Sequence, residues 1–155
     1  MESTRYDELF TDYSRWVQES RRQFFVSHIL LPHAFDISTK FSESADSVPK
    51  GEILELAQKT MALTNARAFH LGIAIENATK ARHIYDGHIE SIEGKPKGLR
   101  TDHNILEHVR QCQVKLSPEE TIFLERISYQ TNSLAKYPIA KNVDSQNAFS
   151  GVIVG

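Results

Sequence analysis

A single cysteine, Cys112, stands in 155 residues, so no internal disulfide can form and the chain suits a reducing compartment. With no electropositive surroundings in the sequence to favour a thiolate, Cys112 reads as a small buried apolar residue. Glycine and proline are scarce, seven and five, and they are clustered, which leaves long stretches without a helix breaker. No apolar run is long enough to span a bilayer; the most apolar, Phe24 to Leu31, is eight residues with His28 inside it. The opening residues, MESTRYDELF, are polar and acidic and do not form a signal peptide, so the expectation is a cytoplasmic protein. A net charge of −2 supplies no global basic field for nucleic acid.

What the chain does have is helical periodicity. Tyr6, Phe10, Tyr13 and Val17 recur at three- and four-residue steps, predicting a first helix capped at Thr4 and ended or kinked by Pro32. A shorter helical piece follows to about Lys40, and the Ser- and Asp-rich stretch from Phe41 to Val48 reads as a linker. From Pro49, a second stripe runs through Leu54, Ala57, Met61, Thr64, Ala68, Leu71, Ile75, Ala78, Arg82 and Tyr85, eight of the ten apolar. Its length predicts a break near Thr64 to Ala66, and Gly87 lies by its end. The Gly- and Pro-bearing segment Glu90 to Arg100 cannot continue a helix. Thr101 offers a cap for a short helix ending near Gln113. Ser117, Pro118 and Glu120 then form a capping-box signature for the last helix, which Pro138 stops.

The expected fold is therefore all-α, an up-and-down bundle of about five helices over residues 4–140, with a tail of undecided structure at 141–155. Phe10, Val17, Leu71, Ile75, Ile105, Phe123 and Ile127 are the expected core.

The usual chemical signatures are missing. No Glu-x-x-His or His-Glu-x-x-His step occurs among the seven histidines, so neither a carboxylate-bridged metal bundle nor a zinc-protease site is expected. Glycine-rich phosphate loops and a serine-hydrolase elbow are also missing, and no cofactor is expected.

Four short motifs in order carry a family resemblance. They are Ile75-Glu76-Asn77-Ala78-Thr79-Lys80-Ala81, His103-Asn104-Ile105-Leu106, Leu116-Ser117-Pro118-Glu119-Glu120 and Lys136-Tyr137-Pro138. Over about residues 73–138 the chain resembles the HEPN superfamily of helical bundles, many of them prokaryotic ribonucleases or toxin–antitoxin components. The resemblance implies a HEPN-like bundle and a homodimer. It also implies a bacterial defence or toxin–antitoxin setting, with a protein partner, RNA or a nucleotide as what it binds. Active members carry, on the last helix, an Arg followed four to six residues later by His. There the Arg stabilises phosphate charge and the His moves a proton.

This chain departs from that pattern. Six residues beyond Arg126 stands Asn132, which cannot act as a general acid or base. The resemblance thus implies a non-catalytic module, with Arg126, Asn132 and Lys136 as candidate ligand contacts. A divergent, metal-independent endoribonuclease would need a displaced set, either Arg82, His83 and His88 or Arg22 and His28. A helical dimer whose function lies in its interface is the third reading.

Overall fold

A computed structural model describes residues 2–44, 49–98, 100 and 102–134 of the chain. Five α-helices and one two-stranded hairpin make an all-α bundle. Helix α1 is Glu2–Thr11, α2 is Tyr13–Ser44, α3 is Lys50–Tyr85, α4 is Ile105–Gln111 and α5 is Pro118–Tyr129. A π-helical turn, Gln130–Leu134, follows α5 directly.

Several boundaries differ from the periodic reading, each for a local reason. Thr4 lies inside α1 rather than capping it. The first break falls at Asp12, not Pro32: the Asp12 carboxylate accepts from the Ser14 amide at 3.0 Å and its hydroxyl at 2.6 Å, which caps α2 afresh. Trp16 Nε1 donates back to the Phe10 carbonyl at 2.9 Å, fixing the corner. Helix α2 continues through Pro32 to Ser44, past the start of the expected linker. Pro32 is exposed, so the carbonyl four residues earlier that loses its amide partner faces water. Helix α3 is unbroken at Thr64 to Ala66 and, at 36 residues, about 54 Å long.

Gly87 ends α3 as expected, with a left-handed φ of 73°. The His88 amide donates to the His83 carbonyl at 2.9 Å and the Gly87 amide to that of Ile84 at 3.0 Å, a Schellman closure. The Glu90 to Arg100 segment holds an antiparallel hairpin, β1 Glu90–Ile92 with β2 Lys95–Lys97, turned at Glu93 and Gly94, both with positive φ. Asp7 of α1 accepts from the Ser91 hydroxyl and from the Gly94 amide, tying the hairpin to the N-terminus. Helix α4 starts later than Thr101 would allow: Asn104 caps it, accepting from the Glu107 amide at 3.3 Å. Thr101 itself, Lys136, Pro138 and the tail 141–155 lie outside the described residues.

The core is one cluster where α4 and α5 cover the C-terminal half of α3. Ala68, Ile105, Leu106, Val109, Leu124 and Ile127 form it, with Leu71, Ile75 and Leu116 packed against it. Phe10 and Val17 are half-buried at the α1–α2 corner. Phe123, expected inside, is 47% exposed. It stands one residue before Leu124, and a 100° step per residue turns it off the buried stripe of Leu124, Ile127 and Thr131. Ser128 joins the two short helices: its hydroxyl accepts from the otherwise orphaned Leu106 amide at 3.0 Å and donates to Leu124 at 2.7 Å.

Candidate functional site

Helix α3 carries polar residues into the interior beneath α4. Glu76, Asn77, Thr79 and His83 are all buried there. Glu76 is the centre. Lys80, one turn on, donates to one carboxylate oxygen, and His103 Nδ1 lies 2.9 Å from the other. Burial alone would raise the Glu76 carboxyl, but hydrogen bonds from Lys80 and His103 outweigh it and hold the group below the usual carboxylate range. Lys80 also sits over the Trp16 ring, 5.3 Å from its centroid, so α2 joins the node. Asn132 Nδ2 in the π-helical turn donates to the His103 carbonyl at 3.0 Å. Through Lys80 and His103, one carboxylate thus connects α2, α3, the loop before α4 and the π-helical turn.

The node has a definite chemical character. A carboxylate on Nδ1 of a neutral imidazole selects the tautomer with its proton there and leaves Nε2 as an acceptor. Neither a nucleophilic side chain nor an anion-binding cation meets His103 among the described residues. The nearest guanidinium in sequence, Arg100, is committed to Asp102 at 2.5 Å.

The displaced set does not converge. Arg82 is exposed and its Nε donates to Asp86 at 2.5 Å, which raises its pKa and occupies the charge. His83, the next residue, turns inward and is buried; its Nε2 has no hydrogen-bond partner among the described residues. Burial, reinforced by His88 and His108, pushes the His83 imidazole below its usual range. His83 and His88 are brought together, their rings 5.9 Å apart, while the Arg82 guanidinium is spent on Asp86. Arg22 pairs with Glu19 at 3.6 Å, and His28 stacks on Phe24 with centroids 6.5 Å apart. Six residues of helix put Arg22 and His28 roughly 120° apart, so they do not share a face. Arg126 is exposed on α5.

Among the described residues no group of three or more His, Cys, Asp or Glu side chains could hold a metal ion, and no helix is long and apolar enough to cross a membrane. Cys112 is half-buried, its thiol pushed up by burial and directed at the Thr79 carbonyl, which fits its structural reading. The link from Glu76 to His103 was missed in the sequence, although a Glu and a Lys four apart in the middle of the strongest apolar run marked the place. Comparison of the chain with known protein families, curated proteins and solved structures returned no match.

Proposed function

We propose that this chain is a non-catalytic, HEPN-like helical module that works by binding, as a homodimer and through protein–protein contact. The observation that carries this reading is the commitment of Asn132. Where active HEPN proteins have a proton-transferring imidazole, this chain has an amide engaged to the main chain at His103. Of the residues of the family-like motifs, Lys80 and His103 are both engaged by the buried Glu76 carboxylate. Protein contact is favoured over RNA by residues 24–44 and 50–65, where Phe24, Phe25, Leu31, Phe35 and Leu54 are exposed and Lys40 and Lys59 are paired with carboxylates. The setting that the resemblance implies for such a module is a bacterial defence or toxin–antitoxin system.

The test is incubation of the purified chain with generic single-stranded RNA in chelator. The reading requires intact RNA. Cleavage abolished by His103→Ala or His88→Ala would replace it with the metal-independent endoribonuclease.

A further inference from the structure

Two side-chain hydrogen bonds set the register of the long helices. The Ser20 hydroxyl donates to the Ala74 carbonyl at 2.8 Å, and His70 Nδ1 meets Gln23 Oε1 at 2.7 Å. Antiparallel continuation of that register lays residues 29–44 of α2 along residues 50–65 of α3. Buried residues stop at Ser27 in α2 and begin only at Ala68 in α3. The short helices α4 and α5 cover the inner half of α3, so the outer half of the helix pair has no third layer among the described residues.

That outer hairpin is apolar on a consistent face. Phe24, Leu31 and Phe35 recur at seven and four residues on α2, and Leu54 and Met61 are seven apart on α3. Phe35 is 72% exposed, Leu54 60% and Phe24 57%. The stripe runs into a groove of about 390 Å³ between the helices, where Phe24, Phe25, Ala74, Ile75 and Ala78 give an apolar lining and Ser20, Arg21 and His28 the polar part. A two-helix layer buries its apolar stripes only against a further layer.

We propose that the outer hairpin, residues 24–44 with 50–65, is a self-association surface on which a second copy of this chain packs its own hairpin to form a four-helix bundle. The inference rests on the homodimer in the reading above and assigns its interface. Two quantities point to a second copy. An aromatic side chain carries about 150–250 Å² of surface, so three or more large exposed apolar residues offer several hundred Å² per copy, the order of the roughly 800 Å² per partner in a stable interface. Charge also fits. Residues 29–44 and 50–65 hold three Lys (40, 50, 59) against four carboxylates (Asp36, Glu43, Glu52, Glu55), with no Arg. Two of the three Lys are already paired, Lys40 with Asp36 at 2.8 Å and Lys59 with Glu55 at 2.5 Å. A face that is apolar and nearly neutral is self-complementary across a two-fold axis, and it lacks the cationic surplus that nucleic acid or an anionic membrane would demand.

The experiment is light scattering on the full chain, with far-UV circular dichroism to show that each variant keeps its helices. Wild type should have twice the 17.6 kDa chain mass. Phe35→Glu and Leu54→Glu should each weaken pairing at least about 100-fold, because each would bury an unpaired carboxylate. Ile122→Glu, at an exposed site on α5, should remain dimeric. A monomeric wild type overturns the proposal, whether the face is then covered by residues 135–155 or by another protein. A dimer that survives both hairpin substitutions, or is broken by Ile122→Glu alone, moves the interface elsewhere and also overturns it. Neither result bears on RNA cleavage, which tests the non-catalytic reading separately.

Discussion

A methyl group added at Gly72 would lie 2.0 Å from the Thr131 hydroxyl oxygen, 3.1 Å from Thr131 Cβ and 3.2 Å from Ile127 Cγ2. The two residues mark where α3 meets the end of α5 and the π-helical turn, and the absent side chain lets the backbones approach. Gly72→Ala therefore sets two effects against each other. Helix propensity favours Ala by about 1 kcal/mol, while overpacking costs about 1–3 kcal/mol. Thr131 is fully buried and its short side chain cannot swing clear, so overpacking should win. Urea unfolding should show Gly72→Ala less stable than wild type, with partial recovery in the Gly72→Ala/Thr131→Ala double variant. A stabilised Gly72→Ala would mean that the helices do not cross there.

Glu76 and Lys80 form a pair almost closed to solvent, their side chains 5% and 12% exposed. Removing one partner strands the other charge, so Glu76→Met and Lys80→Met should each cost about 3–5 kcal/mol. Removing both replaces the pair with apolar groups of similar length, and the double variant should cost much less than the sum. A thermodynamic cycle giving additive losses would show that the two side chains do not interact.

The same node sets a pH dependence with a definite sign. The folded Glu76 carboxyl lies below its ordinary value of 4.5, so its stabilisation is complete above that pH and is lost as pH falls through the folded value. The gap between wild type and Glu76→Gln should accordingly narrow in acid. His83 behaves differently, because its folded imidazole is depressed below 6.5 by burial. The unfolded chain takes up that proton first, so stability falls as pH drops from about 6.5 towards the folded value. His83→Phe should remove this earlier decline without changing the one due to Glu76. Denaturant midpoints between pH 4 and 8 that run parallel for wild type and His83→Phe would refute the assignment.

The fold class was legible because helical periodicity and rare breakers survive any tertiary rearrangement. Ile105 and Ile127 are buried as their spacing predicts, and the Gly87 stop is where glycine's conformational freedom places it. Pro32 does not end α2, because on an exposed face water replaces the lost hydrogen bond. Asp12 went unread as a breaker because its effect is a side chain competing with the backbone for the Ser14 amide. The Thr64 to Ala66 break was inferred from compactness, but the α2–α3 pair extends beyond the bundle, so α3 need not be cut to fit. At the candidate site, Glu76, Lys80 and His103 all stand in the family-like motifs, and the four-residue spacing of Glu76 and Lys80 allows a contact along one helix face. The contact of His103 with Glu76 was not legible, because it depends on the loop between the hairpin and α4, which no periodicity describes.

The last helix offers a local test independent of everything above. Ser117 Oγ accepts from the Glu120 amide at 3.1 Å, and Glu120 Oε2 accepts from the Ser117 amide at 2.8 Å, closing a reciprocal box at the start of α5 with Pro118 at its first position. Both partners lie near the surface, so the loss should be that of the cap and not of packing. Ser117→Ala should cost about 1 kcal/mol. Glu120→Ala removes the returning arm and the favourable charge at the helix N-terminus, and should cost somewhat less. Because the two bonds close one ring, the double variant should lose less than the sum of the singles. Thermal unfolding monitored by circular dichroism reads all three, and an unchanged Ser117→Ala midpoint would show that α5 is held by Leu124 and Ile127 alone.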